Sequence, residues 1–322
     1  MTMSKIAQCR NSLGCGKSMS MKVLVSGGAG FIGSQLALQL EKNGDEVTIV
    51  DDFFSAHPEN LIGFRGQVLK QDISASFQSS DLYDAIFHQA AITDPRHPSD
   101  NEVLEKNING FQNILNLAGR NQAKVVYAST AGLYGNGPVP MREDQLKDCS
   151  TAYARSKLEM EKMAEEHKTK LHLVGLRYFN VFGPNEAHKG RPASMMYHLW
   201  RQMRQGNRPR LFKWGEQIRD FIYVKDVVAA NLCALTAVPG VYNVGTGVGT
   251  SFNELVTCLN KAMGTQLEPE YFDMPFDEGT YQHHTLADVE KAKKGLKFQA
   301  KWKLAHAVKD YIDFLDANVL IP

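Results

Sequence analysis

The chain contains 322 residues, of which 43% are hydrophobic, and its formal net charge at pH 7 is +1. This length allows one large or two ordinary domains with a well-formed core. The balanced charge excludes the basic footprint of a nucleic-acid-binding protein, and no apolar run approaches the ~20 residues that cross a bilayer. The cysteines show neither metal-ligand spacing nor a pairing pattern, and no export signal is evident, so we expect a cytoplasmic protein without a metal.

Residues 1–20 precede the first predicted strand, and we interpret them as a disordered extension. They carry Cys9 and Cys15 but no apolar stretch of the kind found in signal peptides. Their Gly14-Cys-Gly-Lys-Ser18 resembles the end of a phosphate-binding loop. The upstream glycine and the preceding strand that such a loop requires are missing, so we interpret this likeness as chance.

A glycine-rich turn follows the first predicted strand and opens the first predicted helix. The strand, residues 23–25, is a continuous apolar run, which is typical of a buried parallel strand. Gly27, Gly30 and Gly33 come next, and apolar residues at helical spacing follow them. Glycines in this context allow a tight turn, the close approach of a pyrophosphate and close packing of helix on strand. A turn without a ligand is the alternative, but Asp51 ends the next strand, where an acid binds the adenosine ribose.

Strands and helices alternate along the first half of the chain. Short apolar runs predict strands over residues 47–50, 67–70, 85–88, 124–128 and 171–176. Apolar residues at helical spacing predict helices over residues 107–118 and 151–167. This alternation predicts an α/β fold of the Rossmann type, with a doubly wound parallel sheet.

The alternation ends near Gly183-Pro184, where a loop containing proline and glycine begins. We expect residues 21–184 to form the dinucleotide-binding domain, with later segments returning to it. Residues 185–322 would mainly form a smaller mixed α/β lobe that binds the substrate and ends in a helix over 304–315. A lobe above the strand ends would create a cleft, which is where such sheets bind ligands.

Tyr153 and Lys157 lie four residues apart on a predicted helix and therefore share one face. A free tyrosine has a pKa of about 10, but a neighbouring ammonium stabilises the phenolate and lowers this pKa. Tyr153 could then accept a proton from a sugar hydroxyl while a hydride leaves the same carbon. On its own such a pair is more often a solvated surface pair, so the functional interpretation depends on the nucleotide-binding turn upstream.

Two hydroxyl residues, Ser129-Thr130, end the fifth predicted strand, whose carboxyl end faces the expected cleft. Either hydroxyl could bind the substrate oxygen that Tyr153 deprotonates, and we favour Thr130. The structural alternative is a hydroxyl that caps a turn.

Short stretches spread over the chain after Met21 form one pattern. They are Gly27-Gly-Ala-Gly-Phe-Ile-Gly33, Asp51-Asp52, Asp72-Ile73, His88-Gln-Ala-Ala91, Ser129-Thr130, Tyr153 to Lys157, Arg177-Tyr-Phe-Asn-Val-Phe-Gly-Pro184, Arg219-Asp-Phe-Ile-Tyr-Val224 and Tyr242-Asn-Val-Gly-Thr-Gly247. This pattern resembles the extended short-chain dehydrogenase/reductase family, the NAD-dependent epimerases and dehydratases. The resemblance implies an enzyme whose catalytic set is Thr130, Tyr153 and Lys157. It implies cofactor binding by Gly27, Gly30, Phe31, Ile32, Gly33, Asp51, Asp52, Asp72, Ile73, Gln89, Ala90, Ala91, Asn107, Tyr153, Lys157 and Tyr178.

One insertion is most similar to the family branch that epimerises nucleotide-linked heptoses. The stretch Phe182-Gly-Pro-Asn-Glu-Ala-His-Lys-Gly-Arg-Pro-Ala-Ser-Met195 contains His188-Lys189-Gly190 after its Gly-Pro, which is not general in the family. The resemblance implies that Lys189 is a second acid/base opposite Tyr153. It also implies an ADP-heptose substrate that is epimerised for the lipopolysaccharide core. The alternative for Lys189 is a solvated loop lysine.

Substrate contacts are expected from Thr130, Asn180, Ser194 and Arg219, and the resemblance to this branch implies further contacts from Lys189 and Tyr281. Arg219 is the candidate for the diphosphate because a guanidinium forks onto phosphate oxygens, with an inter-lobe salt bridge as the alternative. Residues 51–61 contain no Lys or Arg, and the two acids there would repel a 2′-phosphate, so we expect NAD as cofactor, although this branch can use NADP. Family members self-associate, so we expect a homo-oligomer.

Two other functions stay open. A UDP-hexose 4-epimerase, or another nucleotide-sugar epimerase, would share most of the pattern. A 4,6-dehydratase is disfavoured, because Ala131-Gly132 follows Thr130 where such enzymes have Asp-Glu. A cofactor-binding sensor on the same fold would need no proton relay, and the presence of Thr130, Tyr153 and Lys157 favours an enzyme.

Overall fold

The structure, a computed structural model, describes residues 20–318 apart from 76, 78, 95 and 276–280. The extension predicted over residues 1–20 therefore lies outside the described residues, except for Ser20. The strands are β1 (Lys22–Ser26), β2 (Glu46–Asp51), β3 (Gln67–Lys70), β4 (Ala85–His88), β5 (Lys124–Thr130), β6 (Leu173–Tyr178), β7 (Asn180–Phe182), β8 (Arg210–Phe212), β9 (Ile218–Arg219), β10 (Phe221–Tyr223), β11 (Gly240–Val244), β12 (Thr250–Ser251) and β13 (Glu270–Phe272).

The helices alternate with these strands in the first half of the chain and predominate in the second. They are α1 (Phe31–Lys42), α2 (Asp100–Asn121), α3 (Ala152–His167), α4 (Met195–Arg204), α5 (Val224–Ala234), α6 (Phe252–Met263), α7 (Glu290–Gly295) and α8 (Leu304–Asn318). Short 3₁₀ turns cover Pro58–Leu61, Ala131–Tyr134 and Ala187–Lys189. Among the described residues, none of the helices combines the length and the apolar character needed to cross a bilayer.

Seven strands form a central sheet in the spatial order β3, β2, β1, β4, β5, β6, β11, and each neighbouring pair is parallel. The strand order reverses between β1 and β4, which is the topological switch point of a doubly wound sheet. Ligands of such sheets bind at this point, beyond the carboxyl ends of the strands.

Helices cover both faces of this sheet. On one face, Leu36 and Leu40 of α1 and Ala230 of α5 belong to a buried cluster with the sheet residue Val25. On the other face, Phe111 of α2 belongs to a second buried cluster, to which α3 also contributes. Because both faces are buried, the strands are continuous apolar runs and not alternating ones. The predicted α/β fold of the Rossmann type is confirmed.

A smaller lobe forms around a separate core beyond Pro184. Trp200 of α4, Leu255 of α6 and Tyr311 of α8 are fully buried in this core. Short two-stranded sheets join β7 to β10, β8 to β13 and β9 to β12. β11 returns to the edge of the central sheet beside β6. The division at residue 184 itself stays a prediction.

Two predicted elements extend further than their apolar patterns, and both extensions bear on the site. α2 begins at Asp100, where the Ser99 hydroxyl caps the helix by accepting a hydrogen bond from the backbone N–H of Glu102 at 3.2 Å. β5 continues to Thr130, which pairs with Tyr178 at the end of β6. Both extensions are mostly polar, so the apolar patterns did not include them. The extension of α2 contains Lys106, which lines the groove, and the extension of β5 contains Thr130.

Candidate active site

A groove runs along the carboxyl edge of the central sheet, between the turn before α1 and the segment before α4. The residues predicted to bind the cofactor all line it, together with Lys189: Gly27, Gly30, Phe31, Ile32, Gly33, Asp51, Asp52, Asp72, Ile73, Gln89, Ala90, Ala91, Asn107, Tyr153, Lys157, Tyr178 and Lys189. The parallel sheet explains this assembly, because it delivers the carboxyl end of each strand to one edge. The individual roles of these residues stay predictions.

The glycine turn leaves no room for side chains. A Cβ on Gly33 would lie 2.0 Å from the carbonyl oxygen of Gly27, so only glycine lets α1 pack this closely on the turn. Gly27 has a φ of +68°, and a Cβ there would lie 2.5 Å from the backbone nitrogen of Ala90. No side chain caps the N-terminus of α1. The turn therefore offers a helix N-terminus and a close-packed backbone, as a bound pyrophosphate requires.

Asp51 connects the glycine turn with the loop after β2. Its carboxylate is buried and accepts hydrogen bonds from the backbone N–H groups of Ala29 at 3.0 Å and Phe53 at 2.9 Å. Burial raises the pKa of Asp51, and the two backbone donors oppose this effect. The adjacent Asp52 is exposed and also lines the groove. Two carboxylates thus lie at the end of the groove where the adenosine ribose is expected.

A lysine from α2 lies at this same end and was not predicted. The Lys106 ammonium is 3.7 Å from a carboxylate oxygen of Asp72 and 5.6 Å from the centre of the Phe54 ring. Lys106 lines the groove, although it lies far along the chain from residues 51–61. No local sequence signal marks it, because only the docking of α2 beside the sheet brings it there.

Tyr153 and Lys157 lie on α3, whose N-terminus is capped by the Thr151 hydroxyl, which accepts from the N–H of Ala154 at 3.1 Å. The Lys157 ammonium is 5.8 Å from the centre of the Tyr153 ring. The Tyr153 phenol hydrogen-bonds with Thr130, at the end of β5. Thr130 also accepts a bond from the N–H of Gly132 at 3.0 Å, so it caps a turn as well. The structure therefore brings the three predicted catalytic residues together.

The pKa of Tyr153 departs from the predicted direction. Burial raises it to about 12, and the hydrogen bond with Thr130 opposes the rise. Burial also lowers the pKa of Lys157 to about 7. A lysine with this pKa is only partly charged at neutral pH and therefore stabilises a phenolate weakly. The predicted activation of Tyr153 thus requires a partner that keeps Lys157 protonated.

Ser129 is directed toward a buried ion pair. Its hydroxyl donates to a carboxylate oxygen of Glu161 at 2.6 Å, and the same carboxylate receives two bonds from Arg177 at 2.8 and 2.6 Å. This engagement leaves Thr130 as the hydroxyl beside Tyr153, in accordance with our preference.

A cluster of amide and phenol groups joins two predicted cofactor residues, Gln89 and Tyr178, to Asn231, which was not predicted. The Tyr178 hydroxyl donates to the side-chain oxygens of Gln89 at 3.2 Å or Asn231 at 3.1 Å, and the Asn231 amide donates to the Tyr178 oxygen at 2.9 Å. Asn231 belongs to α5 and is fully buried. Its position in an apolar helix was the one available signal, since a buried amide needs partners.

The segment that carries Lys189 is tied to the sheet domain at three points. The Asn185 amide donates to the Ser34 hydroxyl at 3.0 Å, and the His188 ring nitrogen accepts from the Asn60 amide at 3.0 Å. Arg191 donates to the Asp94 carboxylate at 2.6 Å. The Lys189 ammonium lies 5.6 Å from the centre of the Phe31 ring, and Lys189 is only partly exposed. Lys189 is therefore a groove residue and not a solvated loop lysine.

The remaining substrate candidates lie outside the residues that line the groove. The Arg219 guanidinium is 5.0 Å from the centre of the Tyr281 ring, and it has no carboxylate partner among the described residues. Asn180 is exposed, and its side-chain oxygen accepts from Thr285 at 3.0 Å. Ser194 caps α4 and donates to Glu186 at 2.8 Å. Arg219 therefore lies beside Tyr281, whereas the Ser194 hydroxyl is already hydrogen-bonded to another residue of the protein.

Similarity to known proteins identifies the family to which this chain belongs. The sequence profile described as the NAD dependent epimerase/dehydratase family matches residues 23–245. The chain belongs to this family. It is 34% identical over 313 residues to an ADP-L-glycero-D-manno-heptose-6-epimerase of Brachyspira hyodysenteriae, covering 92% of this chain and 98% of that protein.

Solved structures of the epimerase family have the same fold. The crystal structure of Helicobacter pylori ADP-L-glycero-D-manno-heptose-6-epimerase has 35% sequence identity and a TM-score of 0.86, covering 92% of this chain and 97% of that chain. The UDP-glucose 4-epimerase of Thermotoga maritima, solved with UDP-glucose, has 29% identity and a TM-score of 0.85, covering 93% and 100%.

The groove of this epimerase/dehydratase family member fits an NAD cofactor. The Lys157 ammonium is buried and has no hydrogen-bond partner among the described residues, as expected of a group that awaits a ligand hydroxyl. The turn before α1 excludes a Cβ at Gly33 and Gly27, which leaves the backbone accessible to a pyrophosphate. This fit and the family membership identify NAD as the cofactor.

Proposed function

We propose that the chain is an ADP-L-glycero-D-manno-heptose 6-epimerase, which inverts C6 of an ADP-heptose for the lipopolysaccharide core. The observation that carries the proposal is that two proton-transfer groups, Tyr153 and Lys189, line one groove that fits NAD. Inversion requires hydride removal from one face of C6 and its return to the other. A proton donor or acceptor must serve the oxygen in both poses, and two groups in one groove meet that requirement.

Each catalytic residue has a defined task in this proposal. Bound NAD supplies reversible hydride acceptance, so the reaction has no net redox change. Tyr153 holds or releases the proton of the sugar oxygen, and Thr130 orients that oxygen through its hydroxyl. Lys157 binds a cofactor hydroxyl, which stabilises its charged form and through it the Tyr153 phenolate. Lys189 exchanges the proton when the oxygen occupies the second pose.

Arg219 is our candidate for the diphosphate of the substrate. It is 7% exposed and lies between the rings of Phe252 and Tyr281, at 5.7 and 5.0 Å from their centres. A buried guanidinium without a carboxylate partner among the described residues retains its capacity to bind a dianion. The alternative inter-lobe salt bridge has no support among those residues. Asn180, Ser194 and Tyr281 stay candidates for further substrate contacts.

Parallel incubations with ADP-heptose and with UDP-glucose test the substrate. We expect epimerisation of the ADP-heptose, followed by proton NMR of the sugar. The likeness to a UDP-glucose 4-epimerase makes UDP-hexoses the second candidate. Turnover of a UDP-hexose alone would replace our proposal by that activity. Tight NAD binding with no turnover of any nucleotide sugar would favour the alternative of a cofactor-binding sensor that has no enzymatic activity.

Cofactor preference follows from the charges at the adenosine end. Asp51 and Asp52 would repel the 2′-phosphate of NADP, and Lys106 is already engaged with Asp72. We therefore expect a lower Kd for NAD than for NADP by calorimetry. Asp52→Ala should narrow this difference, because one repelling carboxylate is removed. A lower Kd for NADP with the unaltered protein would contradict the proposal.

We propose a cytoplasmic homo-oligomer in which residues 21–184 chiefly bind the cofactor and residues 185–322 chiefly bind the substrate. Light scattering after size exclusion measures the oligomeric state, and a monomer at micromolar concentration would contradict that part.

A further inference from the structure

A buried carboxylate lies at the base of the segment that carries Lys189. Glu186 is 1% exposed. Its carboxylate accepts a hydrogen bond from the N–H of Gly183 at 3.1 Å, from the N–H of Ser194 at 2.6 Å and from the Ser194 hydroxyl at 2.8 Å. Burial raises the pKa of Glu186, and the bonds from Ser194 and Gly183 and the charge of Lys189 oppose this rise. All three hydrogen-bond partners donate, so the bonding itself favours the ionised form.

These bonds close the segment into a loop. Gly183 and Ser194 are its first and last residues, and one carboxylate holds both. Within the loop, the N–H of Lys189 donates to the carbonyl of Glu186 at 3.0 Å, which completes a single 3₁₀ turn. The external ties of Asn185, His188 and Arg191 then set the loop against the groove. The position of Lys189 therefore depends on Glu186.

The charge of Glu186 also acts on Lys189. Burial lowers the pKa of Lys189, and the Glu186 carboxylate opposes this effect. The other groups that face this pair are His188 on the loop and Tyr311 on α8. Burial lowers the pKa of His188 to about 4, and burial together with Glu186 raises that of Tyr311, so both stay neutral near pH 7. Glu186 is thus the nearby charge that favours a protonated Lys189.

We propose that Glu186 is a positioning residue for Lys189: its carboxylate closes residues 183–194 into a fixed loop that places Lys189 at the groove, and its charge favours the protonated form of Lys189. This inference rests on the proposed function of Lys189 as the second acid/base. It adds a residue that acts through Lys189 and does not touch the substrate.

The test compares Glu186→Gln with Asp226→Asn in the NAD-loaded protein. Asp226 is a buried carboxylate in α5 that accepts backbone hydrogen bonds from Lys301 and Trp302, and it does not line the groove. It therefore matches Glu186 in burial and in bonding. Lys189 is titrated by carbon-13 NMR after reductive methylation, with its signal assigned from Lys189→Arg.

Glu186→Gln should move the titration midpoint of Lys189 about one pH unit or more to lower pH, because an opposite charge nearby is lost. Asp226→Asn should leave this pKa unchanged. The alkaline limb of the kcat profile should move to lower pH with Glu186→Gln, with a smaller change in KM. In a Lys189→Met background, Glu186→Gln should cause no further loss of kcat.

An unchanged Lys189 titration in Glu186→Gln would overturn the inference, as would an equal loss of kcat with and without Lys189. The titration requires no turnover, so it separates this inference from a failure of the proposed substrate. If Glu186→Gln does not fold, Glu186→Asp takes its place. The shorter side chain cannot bridge Gly183 and Ser194, so kcat should fall and amide exchange over 183–194 should accelerate. Wild-type values of both would overturn the inference.

Discussion

At the residue scale, the proposed catalysis depends on two buried side chains, Tyr153 and Lys157, whose burial disfavours their charged forms. Burial raises the pKa of Tyr153 to about 12 and lowers that of Lys157 to about 7. Each shift disfavours the charged form that the proposed chemistry uses, because a buried charge lacks hydration. The same two residues are therefore where function and stability are expected to conflict.

Tyr153→Phe tests the proposed proton acceptor. We expect kcat to fall by about 10²–10⁴-fold, because a positioned acid/base is lost. The Kd for NAD should stay within about tenfold, since one hydrogen bond at most is removed. Tyr242→Phe is the control, because its hydroxyl donates to the carbonyl of Val238 at 2.8 Å outside the groove. Normal turnover by Tyr153→Phe would remove Tyr153 from the mechanism.

Lys157→Met should abolish turnover and yet stabilise the fold. Lys157 is 1% exposed and its ammonium has no hydrogen-bond partner among the described residues. Burial depresses the pKa of Lys157 in the folded state to about 7, from its ordinary value of 10.5. The unfolded chain therefore binds more protons between these values, so the destabilisation by Lys157 is complete below pH 7 and disappears as the pH approaches 10.

Thermal unfolding without added NAD measures this effect. A stabilisation of ~1 kcal/mol corresponds to an increase in Tm of about 1–2 °C for a chain of 322 residues. The increase for Lys157→Met should be larger at pH 6 than at pH 9. Lys162→Met, at an exposed position of the same helix, should leave Tm nearly unchanged. A lower Tm for Lys157→Met at pH 6 would contradict the argument.

At the element scale, the contact between β1 and α1 creates the cofactor turn. Gly33→Ala would place a Cβ 2.0 Å from the Gly27 carbonyl oxygen, so the helix must move off the turn. We expect a destabilisation of about 1–3 kcal/mol in urea unfolding and weaker NAD binding. Gly119→Ala in α2 is the matched control, because its Cβ would meet nothing within 4 Å. That control should stabilise the helix by about 0.5–1 kcal/mol, and equal effects of the two changes would exclude this steric explanation.

At the scale of the whole molecule, one buried network connects the helix layer, the sheet and its returning strand. Arg177 of β6 pairs with Glu161 of α3 and donates to the Tyr134 hydroxyl at 2.8 Å. That hydroxyl in turn donates to Asn243 of β11 at 2.6 Å. The network reaches β5 through the Ser129 hydroxyl, which donates to Glu161 at 2.6 Å, and Thr130 is the next residue on that strand. The network therefore fixes the carboxyl edge of the sheet relative to α3.

Glu161→Gln should be strongly destabilising. The change leaves the Arg177 guanidinium buried without a carboxylate, and removing one partner of a buried pair costs about 3–5 kcal/mol. The free energy of unfolding in urea measures this cost. Glu159→Gln breaks an exposed pair with Lys162 on the same helix, and its effect should stay within about 1 kcal/mol. Similar values for the two variants would show that the network contributes little.

The sequence by itself determined the type of sheet, the positions of six of its seven strands and the family, whereas β11 was not predicted. Uninterrupted apolar runs such as residues 23–25 are typical of strands in a sheet covered on both faces, and the glycine spacing marks the turn that follows. These signals are local, so a single chain segment carries each of them. The same locality explains why Tyr153 and Lys157 could be paired from their spacing on one helix.

Only the tertiary structure decided which distant residues meet at the groove. Lys106, Asn231 and Glu186 reach their partners through helix docking and loop closure, which no local pattern encodes. It also decided the sign of the pKa change at Tyr153, because desolvation depends on everything packed around a group and the sequence shows only its neighbours. Spacing along a chain determines direction on a helix, whereas burial is a property of the assembled fold.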